Sequence, residues 1–349
     1  MKKIALVIIT LLFNGPFLFC QAHLVDVENK KYKTSTNIEI LGQAGYMNVL
    51  ENRNNPDSRK IKMKYIHLKS LSKNPVAPVV YLEGGGNSCT WQAESPEDLT
   101  DWIEILEVSD LIFVDQRGSD GDESLTYIWQ EEYPKDFFIS EEIAIDHYKL
   151  MSAKGLSTFQ KKGVDIRGYT IEEHAQDIHE LTQLLNIESY SIFGFSYGTH
   201  IGMTVMKLFP ERIEKAILVG ADAPNQSLNY PRYLDEHIGL INTLIQKDEV
   251  IKKQIPDLNK LVFKVMDKLD KNPAVVTIQN PLTGKNMDLP IGPFGLALIL
   301  RLDIDDANDI PIIPRLLYSI DEGDHSLLTY FVQKRIVYAI GLPGNGINQ

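Results

Sequence analysis

The residue with the clearest capacity for chemistry is Ser196, in the run Gly194-Phe195-Ser196-Tyr197-Gly198. The spacing G-x-S-x-G is the one in which a sharp strand-to-helix turn lifts a serine hydroxyl clear of its neighbours and presents it as a nucleophile. Tyr190, Ile192 and Phe193 supply the short apolar run such a strand needs. A Cβ at position 194 or 198 would collide where the two backbones nearly touch, which gives both glycines a reason. A structural Gly-Ser-Gly turn is the plainer alternative. A second candidate is Glu83-Gly84-Gly85-Gly86-Asn87-Ser88, whose glycines leave main-chain N–H groups uncovered, as either an oxyanion hole or a phosphate cradle requires. The phosphate reading fails because neither a Lys-Ser/Thr pair nor a G-x-G-x-x-G helix start accompanies the glycines. A bland glycine loop is the remaining alternative.

These residues need a scaffold, and the flanking sequence predicts one. Residues 170–186 read as a helix with Thr170 as N-cap, Glu173 completing a capping box, and Ile171, Ala175, Ile178, Leu181 and Leu185 on one face. Residues 197–209 read as a second helix stopped by Pro210, and 216–220 as a buried strand. The unbroken apolar runs 78–82 and 111–114 predict strands of a parallel sheet covered on both faces. After the second comes Asp115-Gln116-Arg117-Gly118-Ser119-Asp120-Gly121, where the Asp, the Arg and the glycine turn can lock one another by charge-assisted hydrogen bonds, a scaffolding role. Upstream, 46–50 and 60–69 predict two strands, the second with a bulge where its apolar phase flips between Tyr65 and Ile66. Residues 23–44 read as a polar, irregular lead-in, and 131–167 as surface helix and loop without chemistry.

Composition bounds the partners. The chain has 349 residues, 44% of them apolar, enough for a large core, and a formal charge of −12. Acidic chains repel phosphate backbones and anionic membranes, so nucleic acid and membrane surfaces are excluded as natural partners. Lys2, Lys3, the apolar stretches 4–13 and 17–19 and the small Ala22 predict a secretory signal peptide over 1–22, with export to the periplasm or medium and no stable membrane insertion after cleavage. Cleavage after Ala22 would remove Lys2 and Lys3, taking the charge from −12 to −14, and would remove Cys20. Only Cys89 then remains, so no internal disulfide is possible, and a free cysteine reads most simply as a packing residue.

Four segments stand in one order: E-N-R-N-N-P-D-S-R at 51–59, Y-L-E-G-G-G-N-S at 81–88, V-D-Q-R-G-S-D-G at 114–121 and G-F-S-Y-G-T at 194–199. From about residue 44 onward the chain resembles the α/β-hydrolase family of proline iminopeptidases and secreted tripeptidyl or prolyl aminopeptidases. The resemblance implies an eight-stranded, mostly parallel sheet wrapped by helices, with a mainly helical cap inserted after the sixth strand. Signal peptide 1–22, hydrolase core 23–228 and cap 229–349 follow as the expected organisation. Members usually read H-G-G-P-G where this chain has Glu83-Gly84-Gly85-Gly86-Asn87, so the histidine and proline are absent. The implied oxyanion donors, the main-chain N–H groups of Gly85 and Tyr197, survive that change. Gly84, Gly86, Gly194 and Gly198 shape the site.

The implied activity is a serine peptidase acting on peptide N-termini through an acyl-enzyme, with no cofactor or metal; the alternatives are a carboxylester hydrolase on the same scaffold and a truncated, non-catalytic product. In this family the triad acid and base follow the serine along the chain. Beyond 216–220, counted as the sixth strand, 233–246 and 257–270 predict cap helices. The segments 275–279 and 287–289 predict a hairpin, and 294–302 and 324–340 two further helices. No strand ending in Asp and no Gly-His element precedes Gln349, so the last strands of the family sheet are not found. Asp222 and His325 are the remaining acid and base candidates, although Asp321, Glu322, Asp324 and His325 also read as the solvated start of a cap helix. The same three acids are candidates for holding a substrate α-amino group. His200 points down the serine helix and reads as a packed residue.

Overall fold

A computed structural model describes residues 22–345 apart from 86, 120–123, 128–133, 135, 222–229, 281–283, 305 and 341–343. Its central element is a seven-stranded sheet ordered β1-β2-β3-β5-β4-β7-β8. The strands are β1 His23–Lys33, β2 Glu39–Leu50, β3 Lys60–Leu68, β4 Val76–Leu82, β5 Ser109–Val114, β7 Tyr190–Phe195 and β8 Ile213–Val219, with a two-residue β6 Thr126–Tyr127 set apart from the sheet. β1 to β3 form an antiparallel ribbon joined to β5, whereas β5, β4, β7 and β8 run parallel. The register of β4 on β7 pairs Leu82 with Gly194, which sets the glycine loop and the serine turn side by side at one end of the sheet.

Both faces of the central strands are covered. On one face, α5 (Ile171–Leu184) and α6 (Tyr197–Leu208) lay Ala175, Ile178, Leu181, Ile201 and Val205 against Val80, Leu82, Ile112, Val114 and Ile192. On the other, the short helices α1 (Trp91–Glu94), α2 (Pro96–Thr100) and α3 (Ile103–Leu106) bring Leu99, Trp102 and Leu106 to Tyr81, Leu111 and Phe113. Each such fully buried side chain contributes on the order of 1.5–3 kcal/mol. After α4 (Glu141–Lys161), a second core forms from α7 (Pro231–Ile245), α8 (Ile251–Gln254), α9 (Leu258–Lys271), the hairpin β9 (Ala274–Gln279)/β10 (Asn286–Ile291), α10 (Pro293–Asp303), α11 (Ile313–Glu322) and α12 (Ser326–Ile340). Phe137, Phe138 and Ala144 join this second core. A short β11 (Gly344–Asn345) pairs with β6.

Several expectations need correction. Residues 23–44 are not an irregular lead-in: they form β1 and the first part of β2, and as a largely exposed edge strand β1 shows no apolar alternation. β3 carries no bulge, since its register on β2 is continuous from Gly42↔Leu68 to Leu50↔Lys60. Its phase flips because β5 joins it only at 65–68, where both faces become buried. β8 is not buried. It pairs with β7 alone among the described residues, leaving Ile217 58% and Val219 41% exposed. Asp321 and Glu322 end α11 rather than opening a helix, with Gly323 at φ 84° as the left-handed cap. Helix α11 was hidden by Pro314, which sits in its first turn, where a missing N–H costs nothing.

The N-cap of α5 holds, with the Glu173 N–H donating 3.3 Å to Thr170 Oγ1, but the capping box does not close. The Glu173 carboxylate turns instead to Arg53, accepting from its main-chain N–H at 3.1 Å and from its guanidinium. Arg53 belongs to a buried charge network centred on Asp177. Arg117 is 0% exposed and donates through Nε and Nη2 to Asp177 at 2.7 and 2.6 Å and through Nη1 to the carbonyls of Glu51 and Gly168. Burial opposes ionisation of Asp177, but the charges of Arg117 and Arg53 outweigh it and hold the carboxyl below its usual range. Arg117 is thus scaffold, tying the end of β5 to α5 and to the 51–53 and 168 turns. Breaking a buried pair strands the partner charge. Asp177→Asn is expected to lower the unfolding free energy by about 3–5 kcal/mol in urea titration, as a lost buried charge partner does.

Candidate active site

The serine turn is built by contact between backbones. Gly198 opens α6 directly against the end of β4, so close that a Cβ there would lie 2.0 Å from the Leu82 carbonyl oxygen. A Cβ on Gly194 would lie 2.9 Å from the Gly198 carbonyl oxygen, so both ends of the motif admit only glycine. Between them Ser196 takes φ 48° and ψ −118°, a conformation that costs a side-chain-bearing residue on the order of 1–3 kcal/mol. The turn is held from both sides. The Ser196 N–H donates 2.9 Å to the Val219 carbonyl at the end of β8, and the Ser196 carbonyl accepts from the Thr199 N–H and hydroxyl at 2.8 and 2.6 Å.

The glycine loop borders the serine. A Cβ on Gly84 would come within 3.2 Å of Ser196 Cβ and 3.1 Å of the Phe195 ring. Gly85 has φ 62°, which redirects the chain just where an oxyanion donor is expected, and Gly86 lies outside the described residues. Asp115 pins the far end of the loop, accepting from the N–H groups of Cys89 and Thr90 at 2.7 and 2.9 Å and from the Thr90 hydroxyl at 2.9 Å. Burial pushes the Asp115 carboxyl up against the pull of those donors. Cys89 is fully buried with its thiol donating 3.3 Å to the Val114 carbonyl, and burial pushes that thiol well up, as suits a packing residue. Sequence reasoning missed Glu83, Gln92 and Gln116, which hold the near end of the loop. The signal for Glu83 was an ionisable residue directly between an apolar strand and a glycine run.

Among the described residues the Ser196 hydroxyl makes no hydrogen bond, and no imidazole meets it. His200 is buried on α6, its ring 5.9 Å from that of Tyr197. His325 lies at the α11–α12 junction, its carbonyl accepting from Thr329. Asp222 falls outside the described residues. Asp321 is paired with Lys264 at 2.7 Å, and Asp324 accepts from the Ser326 N–H at 2.9 Å, so the first ties α11 to α9 and the second holds the start of α12. Among the described residues no cluster of three His, Cys, Asp or Glu could hold a metal ion.

Behind the turn, Tyr197 packs its ring edge-on to His174, with centroids 6.2 Å apart. Burial pushes the Tyr197 hydroxyl up to about 12. His174 is buried, and neither of its ring nitrogens has a hydrogen-bond partner among the described residues. Burial first, and then the positive charge of Arg117, lower its pKa from an ordinary 6.5 to about 3. Below pH 6.5 the unfolded chain binds a proton that the folded chain refuses until about pH 3. Stability therefore falls as the pH drops through that window, by about 1.4 kcal/mol per unit from this group. In urea unfolding measured across that range, His174→Phe is expected to show a shallower pH dependence than the wild type.

Comparison with known proteins places this geometry. Residues 77–247 match the α/β-hydrolase fold family, a span that contains the glycine loop, the Asp115–Arg117 turn and Ser196. No curated protein matches the chain. Similar solved structures include a mutant of the N-acyl homoserine lactonase AidH complexed with N-hexanoyl homoserine lactone, at 16% identity over 50% of this chain and 54% of that one, TM-score 0.27. An α/β-hydrolase enzyme, MGS-M2, from a Medee basin deep-sea metagenome library matches at 15% over 53% and 49%, TM-score 0.28. A proline iminopeptidase-related protein from Thermus thermophilus matches at 18% over 62% and 51%, TM-score 0.29. The chain spans about half the length of these structures. The parallel strands, the helices on both faces and the serine turn of residues 77–247 are an α/β-hydrolase fold.

Proposed function

We propose that the chain is a serine hydrolase that forms an acyl-enzyme on Ser196, and that it acts as a secreted aminopeptidase releasing N-terminal residues or short peptides. The observation that carries this reading is the backbone of Ser196, a non-glycine residue held at φ 48° and ψ −118° between a strand and a helix, with Gly84 against it. Strain of this kind persists where the placement of the side chain matters. Ser196 Oγ attacks the carbonyl carbon and gives its proton to a base, and the carbonyl oxygen becomes an oxyanion facing the main-chain N–H groups of Gly85 and Tyr197. Collapse expels the amine, and water then releases the acyl group by the same steps.

Asp222, which follows β8 in the chain, and His325 at the α11–α12 junction are the acid and base that chain order offers for this scheme. The peptidase specificity is supported by the pairing of D-Q-R-G with G-x-S-Y-G-T, and secretion by the character of residues 1–22. One observation favours a second reading, a carboxylester hydrolase: Asp321 is already engaged by Lys264, and an ester substrate needs no acid to receive an α-amino group.

The test is labelling with a fluorophosphonate, followed by mass spectrometry to locate the adduct. One adduct per chain on Ser196, abolished by Ser196→Ala, is the expected result. A folded chain that stays unlabelled would overturn the nucleophile assignment. Turnover of N-terminal Pro or Ala anilides is expected for the aminopeptidase, whereas activity on p-nitrophenyl esters alone would select the esterase.

A further inference from the structure

We infer that Glu83 is a positioning residue that sets the glycine loop against Ser196 through a one-way chain of hydrogen bonds; the inference rests on the reading of Ser196 as nucleophile. Glu83 is the first residue after β4 and is half-buried. Its Oε1 accepts from the Gly84 N–H at 2.7 Å, its Oε2 accepts from Gln92 Nε2 at 2.7 Å, and its main-chain carbonyl accepts from Gln116 Nε2 at 2.7 Å. No Lys or Arg pairs with it among the described residues; the Tyr81 hydroxyl also reaches it, so neutral amide and hydroxyl donors offset the cost of burying its charge.

The direction of these bonds is fixed from the far end. Trp102 is wedged among Tyr81, Phe113 and Phe193, with ring centroids 4.6, 5.3 and 5.6 Å away, and an indole N–H can only donate. It donates 3.0 Å to Gln92 Oε1, which obliges Gln92 to present its NH2 to position 83. Position 83 must then offer an acceptor to Gln92 and another to Gly84, and a carboxylate is the side chain that offers two and donates nothing. Gly84 is thereby held where it borders Ser196, and its carbonyl closes the following turn by accepting from the Asn87 N–H at 3.2 Å. With its N–H consumed by Glu83, Gly84 is excluded from the oxyanion-binding set, which leaves Gly85 and Tyr197 as the assigned donors. The aromatic cluster on one face of the sheet thus fixes a loop at the sheet's end.

Glu83→Gln keeps the shape but sets one NH2 against another at Gln92. Adding Gln92→Glu restores the polarity, because the new carboxylate accepts from both Trp102 and the new amide. The rate of fluorophosphonate labelling of Ser196 is expected to fall in Glu83→Gln by roughly ten- to a hundred-fold, less than the roughly 10²- to 10³-fold that outright loss of an oxyanion donor costs. Most of that loss is expected to return in the Glu83→Gln/Gln92→Glu double variant, whereas a residue that only stabilised the fold would alter melting without this pattern. Equal labelling of wild type and Glu83→Gln, or a double variant no faster than the single one, would overturn the inference. Hydrogen exchange at the Gly84 amide, read by NMR, tests the same positioning without chemistry at Ser196. Protection is expected in the wild type and the double variant and reduced protection in Glu83→Gln; equal protection in all three would refute the role of Glu83. A wild type that fails to label while the exchange pattern holds would remove the nucleophile and leave the positioning intact.

Discussion

Everything at the candidate site depends on one close approach, the passage of Gly198 over the end of β4. With room for no atom beyond a hydrogen between the start of α6 and the Leu82 carbonyl, the helix is pressed onto the strand, and the chain between β7 and α6 must turn within a single residue. That residue is Ser196. Its unfavourable backbone is offset by the bonds to Val219 and Thr199, and the turn leaves its side chain on the rim where β4 also ends. A serine in an ordinary loop would relax out of this conformation.

The rim is kept in place by two buried electrostatic systems that work in opposite ways. Around Asp177, charges of opposite sign meet in the interior, and the guanidinium of Arg117 spends its donors on a carboxylate and two carbonyls from separate turns. At Glu83 and Asp115 each carboxylate is satisfied by neutral donors, mainly amide N–H groups of the loop it anchors. The first system joins the ends of secondary structure elements to one another. The second holds the glycine loop at both ends, and rigid placement of donors is what makes an oxyanion-binding loop effective.

Features encoded by neighbouring residues were legible in the sequence. The G-x-S-x-G turn, the Thr170 cap and the buried strands β4 and β5 depend on local spacing and apolar runs, as does the β9/β10 hairpin. That Asp115 and Arg117 are scaffold could also be read, but the mutual lock expected of them is absent: Asp115 accepts from Cys89 and Thr90, and Arg117 pairs with Asp177 on α5. What escaped depends on distant partners. β1 is polar because it lies at an edge, and β8 reads as a buried strand because its composition does not record which neighbour lies beside it. The capping box at Glu173 was lost to Arg53, 120 positions away in the chain. Glu83 gained its meaning from Trp102 through Gln92, a relation that spacing alone does not express.

The central claim is that the fold holds Ser196 under backbone strain, and comparing the unfolding free energies of Ser196→Gly and Ser196→Ala tests it most directly. Both remove the hydroxyl, but only glycine adopts φ 48° and ψ −118° at little cost. The glycine variant is expected to be more stable by about 1–2 kcal/mol, despite the greater freedom glycine gives the unfolded chain. An alanine variant as stable as the glycine variant, or more so, would mean that the turn is relaxed and that Ser196 is held there for no catalytic purpose.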